Sequence, residues 1–466
     1  MDVVTALRQQ RMNPFRWYAV ALCILCGAID GLDLLLVAYA LPHLPDGFAS
    51  GGQKGLLISL AFIGYGIGSA LIAPMADRIG RKNLVVLGLV FASVVLGITA
   101  FAPNVEVMMV TRLLTGLAVG TMLPLVHILG DEYSSQNRRS LSVGIITLGV
   151  PIGSLLGGLA SLFIISSFDG AWQALFVFGA TLSGLTAVVV WLTLPESPVF
   201  LANRGSAGDD IKIAAIARRL RLVGVDPSMK PAPEFSPHAD DESESSRDAK
   251  VGVLSPRYRV RSLLIWGGYT FGILGYYFIN SWTPQLITTA TDSAATGALV
   301  TTVISIGAIT GGVLFTLMTL RVIPTKLCWM ALGVAVVAQV TFAMTLSGGV
   351  AYVAAFILGM GIQAGLSAYM TSATRLYPPT IRARGLGLMG GISRVGSITA
   401  PLLVGALLSV VTAEVMYLAA SVTVFIAGAS AFGLWANTKH EFDEPVVPDH
   451  ESINETDGSP SSLTRS

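Results

Sequence analysis

Apolar runs of the length that spans a bilayer recur along the chain near residues 17 to 42, 54 to 76, 83 to 102, 105 to 130, 140 to 166 and 171 to 193. A polar stretch from about 194 to 260 follows, and then further runs near 261 to 288, 295 to 319, 325 to 346, 349 to 374, 383 to 409 and 412 to 436. A bilayer core needs roughly 20 apolar residues per helix. The pattern therefore predicts an all-α membrane protein with twelve transmembrane helices in two six-helix bundles. The expected organisation is an N-terminus (1–16), an N-terminal bundle (17–193), a central loop (194–260), a C-terminal bundle (261–437) and a polar tail (438–466). The central stretch, with Asp240, Asp241, Glu242, Ser243 and Glu244, reads as too hydrophilic to bury a core. A short amphipathic helix from Ile211 to Leu222 is expected to be structural.

The two halves match at a fixed offset of 243 residues, which pairs Gly68 with Gly311, Gly116 with Gly359, Gly144 with Gly387, and Gly153-Ser154 with Gly396-Ser397. One offset serving several helices points to a duplicated unit and pseudo-symmetric bundles. Carriers built from such repeats place their binding site near the midplane, between the repeats.

Composition agrees: 12% of the 466 residues are charged and 53% hydrophobic, too few charges to cover a soluble surface. The formal net charge of +1 leaves no basic face for a nucleic acid. The position of the charges is more telling. Of the 29 lysines and arginines, only Lys54 falls in an odd-numbered loop and only Arg112 and Arg394 inside helices, and the rest lie on the termini and even-numbered loops. The positive-inside rule then puts both termini and the central loop on the cytoplasmic side of the cell (inner) membrane. Cys23 and Cys26 have no second pair or nearby histidine to complete a zinc site, so no metal and no cofactor is expected.

Ionised groups inside a membrane cost at least ~2.5 to 3.5 kcal/mol each, so they usually face a cavity and pair. Asp30 and Asp33 lie roughly 20 to 24 Å into the first helix, Arg394 roughly 17 Å into the eleventh, and Arg112 about 10 Å from the outer end of the fourth. Two acids and two bases are thus expected near one layer. Asp30 and Asp33 share a helical face, where mutual repulsion and burial favour taking up a proton. An arginine fork binds carboxylates bidentately, so Arg394 and Arg112 are candidate anchors for an anion. Weaker candidates are Tyr276 and Tyr277, which could stack on an aromatic substrate, and Gln363 as a reader of hydroxyl groups. His127 reads as a hydrogen-bonded packing residue before a proton relay.

The loop Ala73-Pro74-Met75-Ala76-Asp77-Arg78-Ile79-Gly80-Arg81-Lys82 resembles the signature loop of the major facilitator superfamily. Arg112 to Gly120 is similar to that superfamily's Arg-and-glycine motif, as is Pro195-Glu196-Ser197-Pro198 after the sixth helix. Within it, Asp30-Gly31-Leu32-Asp33 resembles the first-helix signature of the aromatic acid:proton symporters. Asp131-Glu132-Tyr133, Gly275 to Phe278 and Ser393 to Ile398 agree with that reading. The resemblance implies transport roles for Asp30, Asp33, Asp77, Arg112, Glu132 and Arg394. It also implies a gating latch built from Asp77, Arg78, Gly80, Arg81 and Glu132, in which Asp77 faces helix N-termini and Arg81 pairs with Glu132. The second copy of the loop has Leu320 where the first has Asp77, so gating is expected to lean on the first copy.

The expected function is a proton-coupled carrier that imports a small organic acid, most of all an aromatic carboxylate of the benzoate or hydroxybenzoate type, by alternating access. Its partners are the acid, protons and the lipid bilayer, with no nucleic acid, and it is expected to act as a monomer. Other readings are a proton-driven exporter, a carrier of another solute such as a sugar or a nicotinate-like acid, and a transport-like membrane sensor. No phosphate-binding loop, HExxH helix or nucleophile motif supports an enzyme.

Overall fold

The computed structural model describes residues 1–442 apart from 166, 169, 170, 207, 227, 228, 230–251, 257 and 320. The acidic run Asp240 to Glu244, Leu320 and the tail beyond 442 lie outside the described residues. Twelve helices among those described are long and apolar enough to cross a membrane. They are α1 (Pro14–Ala40), α2 (Gly51–Ile67), α3 (Arg81–Ala100), α4 (Val105–Glu132), α5 (Leu141–Ile164), α6 (Gln173–Thr193), α7 (Arg259–Thr291), α8 (Ala294–Met318), α9 (Pro324–Thr345), α10 (Gly349–Leu376), α11 (Pro379–Leu407) and α12 (Ala413–Phe442). The expected all-helical, twelve-span architecture is what the chain adopts.

The repeat is visible in how the helices touch. A Cβ at Gly64 would meet the Leu113 carbonyl, and one at Gly307 the carbonyl of Phe356. Gly116 abuts the Ala61 carbonyl and Gly359 that of Ile304, while Gly68 meets Leu117 and Gly311 meets Met360. Each of these contacts reappears at the same offset of 243, so α2 lies on α4 as α8 lies on α10. Small residues permit this close approach, and dispersion between backbones holds helices together where lipid supplies no hydrophobic drive. Gly31 and Gly153 seat α1 on α5 in the same way, against the carbonyls of Val150 and Ala28.

Helix boundaries depart from expectation where the backbone bends. The second span leaves α-geometry at Gly68 for a π turn (Gly68–Ile72) and a tight turn at Ala73–Met75, because Pro74 cannot continue the hydrogen-bond ladder. The fifth span breaks at Thr147–Leu148, where α5 closes on α1 through the Gly27–Gly149 contact. The N-terminal segment, the end of α12 and the described residues of the even-numbered loops share one end of the bundle, here termed the basic end.

At that end the chain is more ordered than its polarity predicts. A short helix at Val3–Gln9 buries Val3, Val4 and Leu7, and helices Pro198–Arg204 and Asp209–Arg219 bury Phe200, Leu201, Ile213 and Ile216 in the same cluster. Arg16, fully buried, ties the segment down by donating to the carbonyls of Tyr133 at 2.7 Å, Leu7 at 2.7 Å and Gln10 at 3.0 Å. The reading of the whole central stretch as unable to bury a core is therefore corrected for residues 198–220: amphipathic period, not mean polarity, decides burial there.

The halves meet most tightly at the end opposite the basic one. Gly51 and Gly55 of α2 abut Gly405 and Pro401 of α11, and Ser59 Oγ donates to the Ile398 carbonyl at 2.8 Å. Nearby, Ser154 Oγ of α5 and Ser305 Oγ of α8 lie 2.8 Å apart.

Candidate functional site

The four intramembrane charges do not form one cluster; they separate into two. In the N-terminal bundle Asp33 Oδ1 lies 3.3 Å from Arg112 Nη1, with the two side chains 3% and 1% exposed. Arg112 Nη2 donates to Thr99 Oγ1 at 3.4 Å, and its Cζ stands 5.1 Å from the Phe176 ring centroid. The pair is buried in the bundle. Among the described residues its bonding is also incomplete, since Asp33 Oδ2, Arg112 Nε and both carboxylate oxygens of the fully buried Asp30 have no hydrogen-bond partner. An ionised carboxylate without a partner is among the costliest groups to bury, whereas its neutral acid is far cheaper. The clamp of Gly31 on the Val150 carbonyl fixes the turn of α1 between the two acids.

Arg394 sits elsewhere. The α2–α11 contacts at Gly55 with Pro401 and at Ser59 with Ile398 run antiparallel, which brings Arg394 level with Phe62 to Tyr65. Contacts between α2 and α4 put those residues level with 117 to 120, roughly one to two turns from Arg112 toward the basic end. Arg394 Cζ lies over the Tyr65 ring at 3.9 Å from its centroid, and the phenols of Tyr65, Tyr277 and Tyr269 are its polar neighbours. Among the described residues no carboxylate pairs with it. Its side chain is half-buried at the seam of the two bundles.

Other expected residues divide. Tyr277 joins the Arg394 group and packs across the seam on Phe62, with ring centroids 4.3 Å apart and the planes tilted at 57°. Tyr276 turns its ring edge-on to Tyr277 at 5.2 Å and lines a cavity of ≈ 10 Å³, room for about one water, with Asn280, Ala308 and Leu358. Gln363 is half-buried on α10 across from Gly312. His127 Nδ1 meets the Leu123 carbonyl at 2.9 Å, an intrahelical contact of the packing kind.

At the basic end Arg81 pairs with Glu132, and Ser197 Oγ donates to Glu132 Oε2 at 2.6 Å. Asp77 is 76% exposed and 3.7 Å from Arg81, while Arg78 points to solvent. The expectation that Asp77 faces helix N-termini is not met in this conformation. That place belongs to Glu196, whose carboxylate accepts from the backbone N–H of Lys82 at 2.9 Å and Asn83 at 3.3 Å, capping α3. Gly80, at φ +106°, makes room for it: a Cβ there would strike the Glu196 carboxylate.

Sequence reasoning missed Tyr65, Tyr269, Thr99 and Phe176 as site residues, since an aromatic or threonine in an apolar run carries no mark of its partner. Glu196 was within reach, because the Pro195 to Pro198 motif had already been noted.

The chain matches the Major Facilitator Superfamily over residues 23–363 and 265–462. It is 29% identical over 405 residues to the 4-hydroxybenzoate transporter PcaK of Pseudomonas putida, covering 85% of this chain and 87% of that protein. It is 29% identical to the gallate transporter of Pseudomonas putida (88% and 89% covered) and 24% identical to the 3-(3-hydroxy-phenyl)propionate transporter of Escherichia coli (89% and 92%). Among solved structures, the inward open conformation of the xylose transporter XylE from E. coli superposes with a TM-score of 0.66 at 16% identity, covering 90% of this chain and 95% of that one. That likeness supports the fold.

Proposed function

The chain belongs to the major facilitator superfamily, a family of transporters and not of enzymes, and from that premise we propose that it carries an aromatic carboxylate inward across the cell membrane together with protons. The observation that carries the proposal is the separation of two unlike groups: a half-buried arginine with no carboxylate partner at the seam, and buried acids with unsatisfied oxygens in one bundle.

Arg394 is the anchor in this reading, because a guanidinium fork takes a carboxylate in two parallel hydrogen bonds and never gives up its own charge. Asp30 is the proton carrier. Buried without a hydrogen-bond partner among the described residues, it is stable as the neutral acid while the site is sealed, and it releases its proton once water reaches it from the basic end. Arg112 serves the acids and not the substrate: it compensates Asp33 and so leaves Asp30 as the titrating member. The lysines and arginines of the basic end support a cytoplasmic placement for it, and the tight seam at the opposite end supports reading this conformation as the inward-facing one. The substrates for which the similar carriers are named, 4-hydroxybenzoate and gallate, suit the aromatic surroundings of Arg394.

Uptake of labelled 4-hydroxybenzoate into proteoliposomes with an alkaline lumen tests the proposal, with protein-free vesicles as the baseline for passive entry of the acid. Accumulation above that baseline, collapsing with a protonophore, is the expected result. Accumulation that persists when the gradient is abolished would overturn proton coupling.

A further inference from the structure

We infer that Tyr65 of α2 orients Arg394 and thereby selects flat acids, in which the carboxylate is conjugated to an aromatic ring, over puckered or flexible ones. This rests on the reading that Arg394 holds the substrate carboxylate. The separation of 3.9 Å between Arg394 Cζ and the Tyr65 centroid is the spacing of a guanidinium laid on the ring face. An approach with one nitrogen pointing straight at the ring would press that nitrogen inside van der Waals contact. A guanidinium stacked this way turns its N–H fork sideways, parallel to the phenol plane.

A carboxylate gripped by that fork is coplanar with it. In a benzoate-type acid the ring is conjugated with the carboxylate and continues in the same plane, so one flat body extends from the guanidinium along the aromatic surface. The surface is present on both sides. Phe62, one turn before Tyr65 on the same face of α2, packs on Tyr277 with the two ring planes tilted at 57°, and Tyr277 and Tyr269 are themselves neighbours of Arg394. A saturated ring is puckered, and a ring on a two-carbon tether leaves the carboxylate plane; either loses the fork geometry or the stacking.

The platform is rigid. Gly64 and Gly120 seat α2 on α4 through the carbonyls of Leu113 and Tyr65, so the Tyr65 backbone cannot withdraw without parting the two helices. It also comes from the opposite bundle to Arg394, so its orienting contact depends on how the halves lie.

The test is equilibrium binding of benzoate, cyclohexanecarboxylate and 3-phenylpropionate to the purified full chain, as wild type, Tyr65→Phe, Tyr65→Leu and Arg394→Ala. The wild type is expected to prefer benzoate by roughly five- to tenfold over both others, the range an aromatic stacking contact supplies. Tyr65→Phe retains that ratio and Tyr65→Leu compresses it to within about twofold; because a ratio within one preparation counts only folded protein, lower yield does not disturb it. A wild type that binds cyclohexanecarboxylate as tightly as benzoate, or a Tyr65→Leu variant that keeps the wild-type ratio, overturns the inference. If Arg394→Ala abolishes binding while the Tyr65→Leu ratio is unchanged, the role of Tyr65 alone falls. If Arg394→Ala binds benzoate undiminished, the anchoring role falls with it.

Discussion

The two bundles are copies in their packing and strangers in their chemistry. Glycine contacts of α2 on α4 recur residue for residue in α8 on α10. At that same offset, however, Asp33 corresponds to Tyr276, Arg112 to Ala355, Tyr65 to Ala308 and Glu132 to Arg375. Among the described residues the N-terminal bundle holds a buried acid–base pair and a second buried acid, whereas the C-terminal bundle brings Arg394, with no carboxylate partner, against Tyr65 of the N-terminal bundle. On a repeated scaffold the side chains thus place paired charge inside one half and an unpaired cation of the other half at an aromatic contact between the two. In the proposed cycle this separation would serve coupling: the proton would change the charge of one half and the anion that of the other, and both would be bound before the halves move.

The sharpest way to break that contrast is to remove the anchor. Arg394→Ala is expected to weaken binding of 4-hydroxybenzoate to the purified protein by on the order of 100-fold, and Arg394→Lys by less, since an ammonium keeps the charge without the fork. Equilibrium binding reads both. Equal affinities for the alanine variant and wild type would move the anion site out of the C-terminal bundle.

Next in size is the internal pair. Arg112→Met leaves Asp33 without its compensating charge and should cost about 3 to 5 kcal/mol in stability. The double variant Arg112→Met/Asp33→Asn should recover much of that, because the uncompensated charge is gone. Thermal unfolding in detergent measures the difference. A double variant no more stable than Arg112→Met would show that Arg112 acts through packing on Phe176 and not through Asp33.

The smallest effect concerns the latch. Glu132→Gln weakens both the pairing with Arg81 and the bond from Ser197, and is expected to shift the balance between conformations by about 1 kcal/mol. Arg375→Gln, its counterpart in the second copy, has no pairing of this kind among the described residues and should shift it by less than about 0.5 kcal/mol. Distances between spin labels at the basic end in the two bundles report that balance, and equal shifts from both variants would erase the asymmetry.

Much of this architecture was legible in the amino-acid sequence because the bilayer simplifies the code. A run of apolar residues must be a helix, since no other element satisfies its backbone in lipid. A charge within such a run must matter, which is why Asp30, Asp33, Arg112 and Arg394 stood out. Pairing was not legible. The depth of Arg394 and Arg112 could be counted along each helix only to within a turn or two, and that error is the whole difference between one cluster and two. Tyr65 was invisible for another reason: its role comes from a contact between bundles more than 300 residues apart in the chain. Asp77 and Glu196 show a third limit. Both lie in recognisable motifs, but which carboxylate caps α3 depends on the turn at Gly80 and on the conformation the chain is in.

The division of labour itself is tested most directly by Asp30→Asn in proteoliposomes, comparing accumulation of 4-hydroxybenzoate driven by a pH gradient with exchange of the same acid at equal pH. With the N-terminal bundle carrying the proton and the C-terminal bundle the anion, the variant should lose accumulation above protein-free vesicles while still exchanging the acid. Concentrative, gradient-driven uptake by Asp30→Asn at the wild-type level would contradict the account.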